Sequence, residues 1–112
     1  MQQRKFERFA VNGSVAFLGD KARGEGRIEN LSLGGAAIIS DVKVAKSEYL
    51  RLSMTWPNRT DRIDVDLAPV RWIKDGSFGV EFIRVNPTAL QMLRRFIEQL
   101  GLVPDEPASS NL

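Results

Sequence analysis

The chain has 112 residues, of which 43% are hydrophobic and 27% charged, with a net charge of +2 at pH 7. This length predicts one domain, large enough to bury a core without disulfides or metal ions. The sequence contains neither cysteine nor histidine, which excludes disulfides, thiolate catalysis and the commonest metal ligands, and removes the commonest general base.

The N-terminal half predicts a polar arm followed by short strands. Residues 1–8 are polar and lack periodicity, whereas apolar residues alternate over residues 11–17, with Asn12-Gly13 as a bulge or bend. The charged residues and glycines of residues 20–26 predict a hairpin turn. The apolar run at residues 36–39 predicts a short strand that is buried on both faces.

The middle of the chain continues the strand pattern. Apolar and polar residues alternate over residues 50–56 and again over residues 63–67, which predicts two strands with Trp56 in the core. Pro69 interrupts the second pattern, which resumes over residues 70–73. We therefore expect this strand to bend at the proline or to be paired there on one edge only.

The end of the chain predicts one more strand and a helix. Asp75-Gly76 is a strong hairpin signal before the alternating residues 78–82. Asn86-Pro87 predicts a helix start with asparagine as the N-cap, and the apolar residues that follow recur at helical spacing until Gly101, a natural stop. Residues 104–112 contain few apolar groups and are typical of a disordered tail.

Six short strands and one amphipathic helix predict a mainly β fold, a six-stranded antiparallel barrel whose opening or edge the helix covers. We expect a single domain with a flexible arm at 1–8, the barrel at 9–85, the helix at 86–101 and a tail at 102–112. No apolar run approaches the roughly 20 residues of a membrane span, and the first residues lead into no signal-peptide region. The expected location is therefore cytoplasmic.

Two short motifs flank the first predicted strands. Arg4 and Arg8 give the pattern Arg-x-x-x-Arg, and the segment from Asn30 to Gly35 gives Asn-x-Ser-x-x-Gly. Their types and spacing resemble the signature of the PilZ domain family, whose members are six-stranded antiparallel barrels that end in a helix. The chain is identified as a single-domain member of that family over about residues 4–101.

This resemblance implies a binding site for cyclic di-GMP, a ligand with two phosphates and two guanines. It assigns six residues to the site: Arg4, Arg8, Asn30, Ser32, Gly34 and Gly35. The planar, permanently charged guanidinium groups suit phosphate oxygens or the O6/N7 edge of guanine. The asparagine and serine carry neutral groups that can orient a guanine, and the glycines allow the backbone to approach the ligand closely.

Trp72 is a further candidate for the site, because in some PilZ domains an aromatic residue from this part of the barrel stacks on a guanine. The alternative is that Trp72 shares a face with Val70 and belongs to the core or the barrel rim. Gln3 stands where PilZ domains that hold an intercalated ligand dimer often carry another arginine. The sequence therefore favours one bound ligand per site.

The expected function is that of a cyclic di-GMP receptor, without catalytic residues, cofactor or metal. The arm would become ordered over the ligand, and the signal would pass to an unidentified partner protein. The alternative is a PilZ-like adaptor that binds no nucleotide. The small net charge disfavours a nucleic-acid-binding barrel, and we interpret Asp61, Asp64 and Asp66 as a solvent-exposed face rather than a catalytic or metal site. Monomer and homodimer both remain open.

Overall fold

The computed structural model describes residues 7–102 and contains six strands and one helix. These elements are β1 (Phe9–Leu18), β2 (Arg23–Ser32), β3 (Gly35–Ile39), β4 (Tyr49–Thr55), β5 (Ile63–Lys74), β6 (Ser77–Glu81) and α1 (Pro87–Leu102). The strands pair antiparallel and close into a barrel in the order β1-β2-β3-β6-β5-β4. The predicted barrel with a C-terminal helix is confirmed, while Gln3, Arg4 and the predicted tail beyond Leu102 lie outside the described residues.

Alternation along the strands fills the barrel with apolar side chains. Successive side chains of a strand point to opposite faces, so β4 buries Leu50, Leu52 and Met54 and leaves its polar residues outside. Phe17 of β1 and Phe78 of β6 meet edge to face, with ring centroids 5.3 Å apart, an arrangement that aromatic pairs prefer. The outer face of the barrel is consequently free for polar and functional residues.

Two predicted irregularities of the strands are confirmed and one is wrong. The register of β1 against β2 shifts between Ala10 and Gly13, as expected for a bulge, and Gly76 occupies the turn before β6 with φ of +73°. The predicted hairpin turn at residues 20–26 is too long, because β2 already begins at Arg23. Gly24 lies within that strand, where an added Cβ would overlap the side chain of Val42.

Strand β5 does not stop at its proline. Pro69 is opposed by Tyr49 of β4, while the register between β5 and β6 begins only at the next residue, where Val70 is opposed by Val80. Within the described strands, the proline is therefore paired along one edge. A proline tolerates this position because it lacks the backbone N–H that a second neighbour would require.

Helix α1 begins and packs as the sequence predicts. The backbone N–H of Ala89 donates to Asn86 Oδ1 at 2.8 Å, which is an N-cap. On the barrel side Leu93 is fully buried. The centroid of the Phe96 ring lies 4.5 Å from that of the Trp56 ring. Gly101 does not end the helix as predicted, since α1 continues through Leu102.

No helix within residues 7–102 is long and apolar enough to cross a bilayer.

Glu48 connects the loop before β4 to the turn between β1 and β2. Its Oε2 accepts hydrogen bonds from the backbone N–H groups of Ala22 at 2.9 Å and Lys21 at 3.1 Å, and its Oε1 accepts one from Ala45 at 3.1 Å. The bond from Ala22 is the main reason why the pKa of Glu48 lies below its ordinary value of 4.5, while burial opposes the shift. The charged carboxylate is thus the form that stabilises this junction.

We expect Glu48→Gln to lower the free energy of unfolding by about 1 kcal/mol at pH 7, because the amide has one acceptor oxygen instead of two and its NH2 group cannot accept from a backbone N–H. A lowered pKa in the folded state means that the stabilisation is present above the ordinary value of 4.5 and is lost as the pH falls through the folded value. Urea unfolding between pH 7 and pH 3 should show the two proteins converging, with Glu25→Gln as an exposed control. An equal difference at every pH would contradict this role.

Candidate functional site

The two motifs of the sequence meet at the start of the barrel. Arg8 immediately precedes β1, and the register of β1 against β2 opposes Phe9 to Leu31, the residue after Asn30. Arg8 Nη1 donates a hydrogen bond of 2.6 Å to Asn30 Oδ1 across a separation of 22 residues. The structure therefore brings Arg8 and Asn30 together at one edge of the outer face.

Ser32 shapes the turn that joins β2 to β3. Its side chain is only 3% exposed, and its Oγ accepts hydrogen bonds of 3.1 Å from the backbone N–H groups of both Gly34 and Gly35. Its own hydroxyl donates to the Gly35 carbonyl at 3.4 Å. All three bonds lie within the turn, so Ser32 holds the backbone of the motif. Its predicted contact with a guanine stays a prediction.

The two glycines of the motif contact β6 or the residue that follows it. The carbonyl of Gly34 accepts a hydrogen bond of 2.9 Å from the backbone N–H of Phe82. Gly35 is buried, and a Cβ at its position would overlap the carbonyl oxygen of Val80. The absence of a side chain at Gly35 therefore allows β3 and β6 to approach, a structural need that exists without any ligand.

Trp72 lies on the outside of the barrel because β5 contains a bulge. Val70 is opposed by Val80 and Trp72 by Gly79, so two residues of β5 advance against one of β6. The bulge leaves Val70 fully buried while Trp72 is 37% exposed. The indole lies over Gly79, where an added Cβ would overlap its Nε1. The alternative that Trp72 shares a face with Val70 is therefore wrong.

One row of paired residues connects the arginine end to the tryptophan end. Asn30 is opposed by Ala37, Ala37 by Gly79 and Gly79 by Trp72. Directly opposed residues of antiparallel strands point to the same face, so this row runs across the outside of β2, β3, β6 and β5. Three strand spacings separate its ends by about 14 Å. The small residues Ala37 and Gly79 form the floor between a polar end and an aromatic end, where the Trp72 indole lies over Gly79 and Ala37 is only 2% exposed.

Further charged groups surround the tryptophan end of the row. Lys74 Nζ lies 5.9 Å from the centroid of the Trp72 ring, within the range of a cation–π contact. Arg71 Nε donates a hydrogen bond of 2.7 Å to Glu81 Oε1. The sequence interpretation missed Arg71, because strand alternation alone places it on the face opposite Trp72. It also missed Lys74, which alternation places on the face of Trp72. It missed the floor of the row, because Ala37 and Gly79 approach Trp72 only through the strand register.

The acidic residues of β5 and the preceding loop lie away from this row. Arg59 bonds to Asp61 at 2.9 Å, and this hydrogen bond lowers the pKa of Asp61. Arg62 Nε lies 3.3 Å from Asp64 Oδ1. Within residues 7–102 there is no group of acidic side chains arranged to hold a metal ion. The side chains of Asp61 and Asp64 are each 41% exposed, although Asp64 Oδ1 itself is buried and makes no hydrogen bond within the described residues.

The closed barrel, the C-terminal helix and an arginine bonded to an Asn-x-Ser-x-x-Gly turn define a small β-barrel module. The PilZ domain model matches residues 2–99, so the chain belongs to the PilZ domain family. Comparison with the curated proteins finds no match.

Solved structures with the same fold include three PilZ-related proteins. The inhibitor of motility MotI (DgrA) of Bacillus subtilis has a TM-score of 0.71 at 21% identity, with 91% of this chain and 54% of that chain covered. Escherichia coli YcgR in complex with c-di-GMP has a TM-score of 0.72 at 20% identity, with 89% and 46% covered. The PilZ domain of CeSA from a cellulose-synthesising bacterium has a TM-score of 0.65 at 17% identity, with 85% and 98% covered. The chain thus spans about half the length of the MotI and YcgR chains, and identities this low show the shared fold alone.

Proposed function

We propose that this protein is a receptor for cyclic di-GMP that binds its ligand on the outer face of β2, β3, β6 and β5. The observation that carries the proposal is the 2.6 Å hydrogen bond between Arg8 and Asn30. It places a guanidinium at one end of a row of small residues whose other end is Trp72. The structure of YcgR in complex with c-di-GMP supports the choice of ligand, since the two proteins share the fold.

The chemistry of the face suits a ligand with two phosphates and two guanines. Arg8 supplies a permanent positive charge and a planar set of donors for a phosphate or for the O6/N7 edge of a guanine. Trp72 supplies an exposed aromatic surface on which a guanine can stack. Arg4, which lies outside the described residues, is proposed as the second guanidinium of the arm. Nothing in this arrangement requires a metal, a cofactor or a catalytic group.

We further propose that ligand binding is communicated through the segment that precedes β1. Arg8 is followed by Phe9, which lines a cavity of about 260 Å³ together with Leu33 of the motif turn and with Ile97 and Gly101 of α1. Rearranging Arg8 around a ligand would therefore alter the packing against the end of the helix. The changed surface would be recognised by a partner protein, and Gln3 favours a single ligand in each site.

Titration calorimetry with cyclic di-GMP tests the proposal directly. We expect saturable binding with a stoichiometry near one, and much weaker binding of GTP, which lacks the second guanine and the macrocycle. A stoichiometry near two would contradict the inference drawn from Gln3. No measurable binding of cyclic di-GMP would instead support the alternative of an adaptor that acts through protein contacts alone.

Replacing Trp72 should weaken binding without unfolding the barrel, because its side chain is partly exposed. Stacking on a base contributes about 1–3 kcal/mol, so Trp72→Ala is expected to raise the Kd by about 5- to 150-fold. Trp72→Phe should restore much of the affinity. In the native protein the ligand should quench the fluorescence of exposed Trp72 rather than that of Trp56, which is 7% exposed. An unchanged Kd for Trp72→Ala would remove the tryptophan from the site.

A further inference from the structure

Arg71 projects from the same outer face as Trp72, although the motif does not include it. Because of the bulge in β5, Arg71 is the extra residue between Val70, which is opposed by Val80, and Trp72, which is opposed by Gly79. The side chains of Arg71 and Trp72 are exposed there, and that of Arg71 is 51% exposed. Arg71 is consequently a neighbour of the proposed stacking position rather than a residue of a distant surface.

The partner of Arg71 connects it to the motif turn. Arg71 Nε donates to Glu81 Oε1 at 2.7 Å, and Glu81 is directly opposed to Gly35 across β6 and β3. Gly35 and Glu81, joined by strand pairing, and Arg71, joined to Glu81 by this side-chain hydrogen bond, therefore form a second row beside the row that ends at Trp72. Within residues 7–102, the hydrogen bond to Glu81 involves only the Nε of the guanidinium, so its two terminal nitrogens keep their donors for another acceptor.

We propose that Arg71 is a further ligand-binding residue of this face and that it exchanges the carboxylate of Glu81 for a phosphate of cyclic di-GMP. This inference rests on the proposed function. A ligand with two phosphates spreads its negative charge over both sides of the macrocycle. Arg8 lies at the Asn30 end of the face, and Arg71 supplies a guanidinium at the opposite end, about three strand spacings away.

The exchange is energetically accessible because the ion pair that must open is on the surface. Both side chains of the Arg71–Glu81 pair are 51% exposed, and exposed ion pairs contribute little to stability. A phosphate can accept two parallel hydrogen bonds from a guanidinium, whereas Glu81 accepts one from Nε. Glu81 is then a competitor for Arg71, and its negative charge lowers the affinity for an anionic ligand.

A double-mutant cycle on Arg71 and Glu81 tests the exchange, with cyclic di-GMP affinity measured by calorimetry. We expect Arg71→Gln to raise the Kd about tenfold, through the loss of a charge-assisted contact. Glu81→Gln should lower the Kd about threefold in the native background, but should have little effect when Arg71 is already glutamine. Arg62→Gln is the matched control, since Arg62 belongs to a similarly exposed pair with Asp64 at 3.3 Å on another part of β5 and its loop.

The outcomes separate this inference from the proposed function. If Arg8→Ala abolishes binding while Arg71→Gln binds like the native protein, the receptor function stands and the role of Arg71 is wrong. If Glu81→Gln tightens binding equally in both backgrounds, Glu81 acts as a general negative charge and the exchange of partners is overturned. If the native protein does not bind cyclic di-GMP at all, both proposals fail together. Thermal unfolding of each variant shows whether the barrel is intact.

Discussion

Arg8→Ala is expected to raise the Kd for cyclic di-GMP about 100-fold while leaving the barrel folded. A hydrogen bond to a charged group contributes about 1.5–3 kcal/mol, and each 1.4 kcal/mol corresponds to a factor of ten in affinity. Arg8 combines the charge of the guanidinium with its contact to Asn30 Oδ1, so its removal also releases the amide that it orients. The effect should appear in calorimetry as a loss of most of the binding heat at ligand concentrations that saturate the native protein.

Two variants isolate the cause of that loss. Arg8→Lys keeps the positive charge but not the planar set of donors, so we expect an intermediate affinity. Arg51→Ala removes an exposed arginine from β4, which does not belong to the proposed face, and should bind like the native protein. Equal affinity of Arg8→Ala and the native protein would show that the ligand does not use the contact between the two motifs.

Gly35→Ala should be the most destabilising single change in the motif. An added Cβ would overlap the carbonyl oxygen of Val80, and a backbone atom held between two strands cannot rotate away as a flexible side chain can. β3 and β6 would have to separate at the pair between Gly35 and Glu81. Overpacking of this kind costs about 1–3 kcal/mol, and we expect a value near the upper end in urea unfolding. Binding should weaken too, because the same turn positions the motif.

Gly101→Ala is the control for this prediction, and its expected effect on stability has the opposite sign. Its added Cβ would lie 3.5 Å from the Phe9 ring, an ordinary contact, and the residue belongs to α1. Alanine in place of glycine in the middle of a helix stabilises by roughly 0.5–1 kcal/mol, and the gain is smaller in the last turn, so this variant should unfold at slightly higher urea than the native protein. A Gly35→Ala protein as stable as Gly101→Ala would mean that β3 and β6 can separate at little cost.

The fold could be predicted from the sequence because strand alternation and helix caps are patterns of residues close together in the chain. Alternation over residues 50–56 is enough to predict β4 and its buried face, and Asn86 carries the N-cap that it is expected to carry. Glycines were a weaker guide, since the same residue type serves turns and close strand contacts. The sequence therefore predicts a turn at Gly24, which lies in β2, and a helix end at Gly101, whereas α1 continues through Leu102.

The candidate site could be predicted from the sequence only in part. The spacing of Arg8 and Asn30 predicted a shared site, and the structure places the two side chains in contact. The position of Trp72 depends on one extra residue in β5, which changes the face of a side chain without altering the local composition. The small floor residue Gly79 and the neighbouring Arg71 join the site through cross-strand register, and register arises from the pairing of segments far apart in sequence.

Mapping the ligand onto the backbone by two-dimensional ¹⁵N–¹H NMR, with cyclic di-GMP titrated into the labelled protein, tests the binding face most directly. The chain has two indole N–H groups, and we expect that of exposed Trp72 to shift strongly and that of buried Trp56 to stay. Backbone signals of Asn30, Gly35 and Gly79 should shift with Trp72, because they belong to the two adjoining rows. The absence of shifts, or shifts confined to the outer face of β1 and β4, would contradict the proposed receptor site.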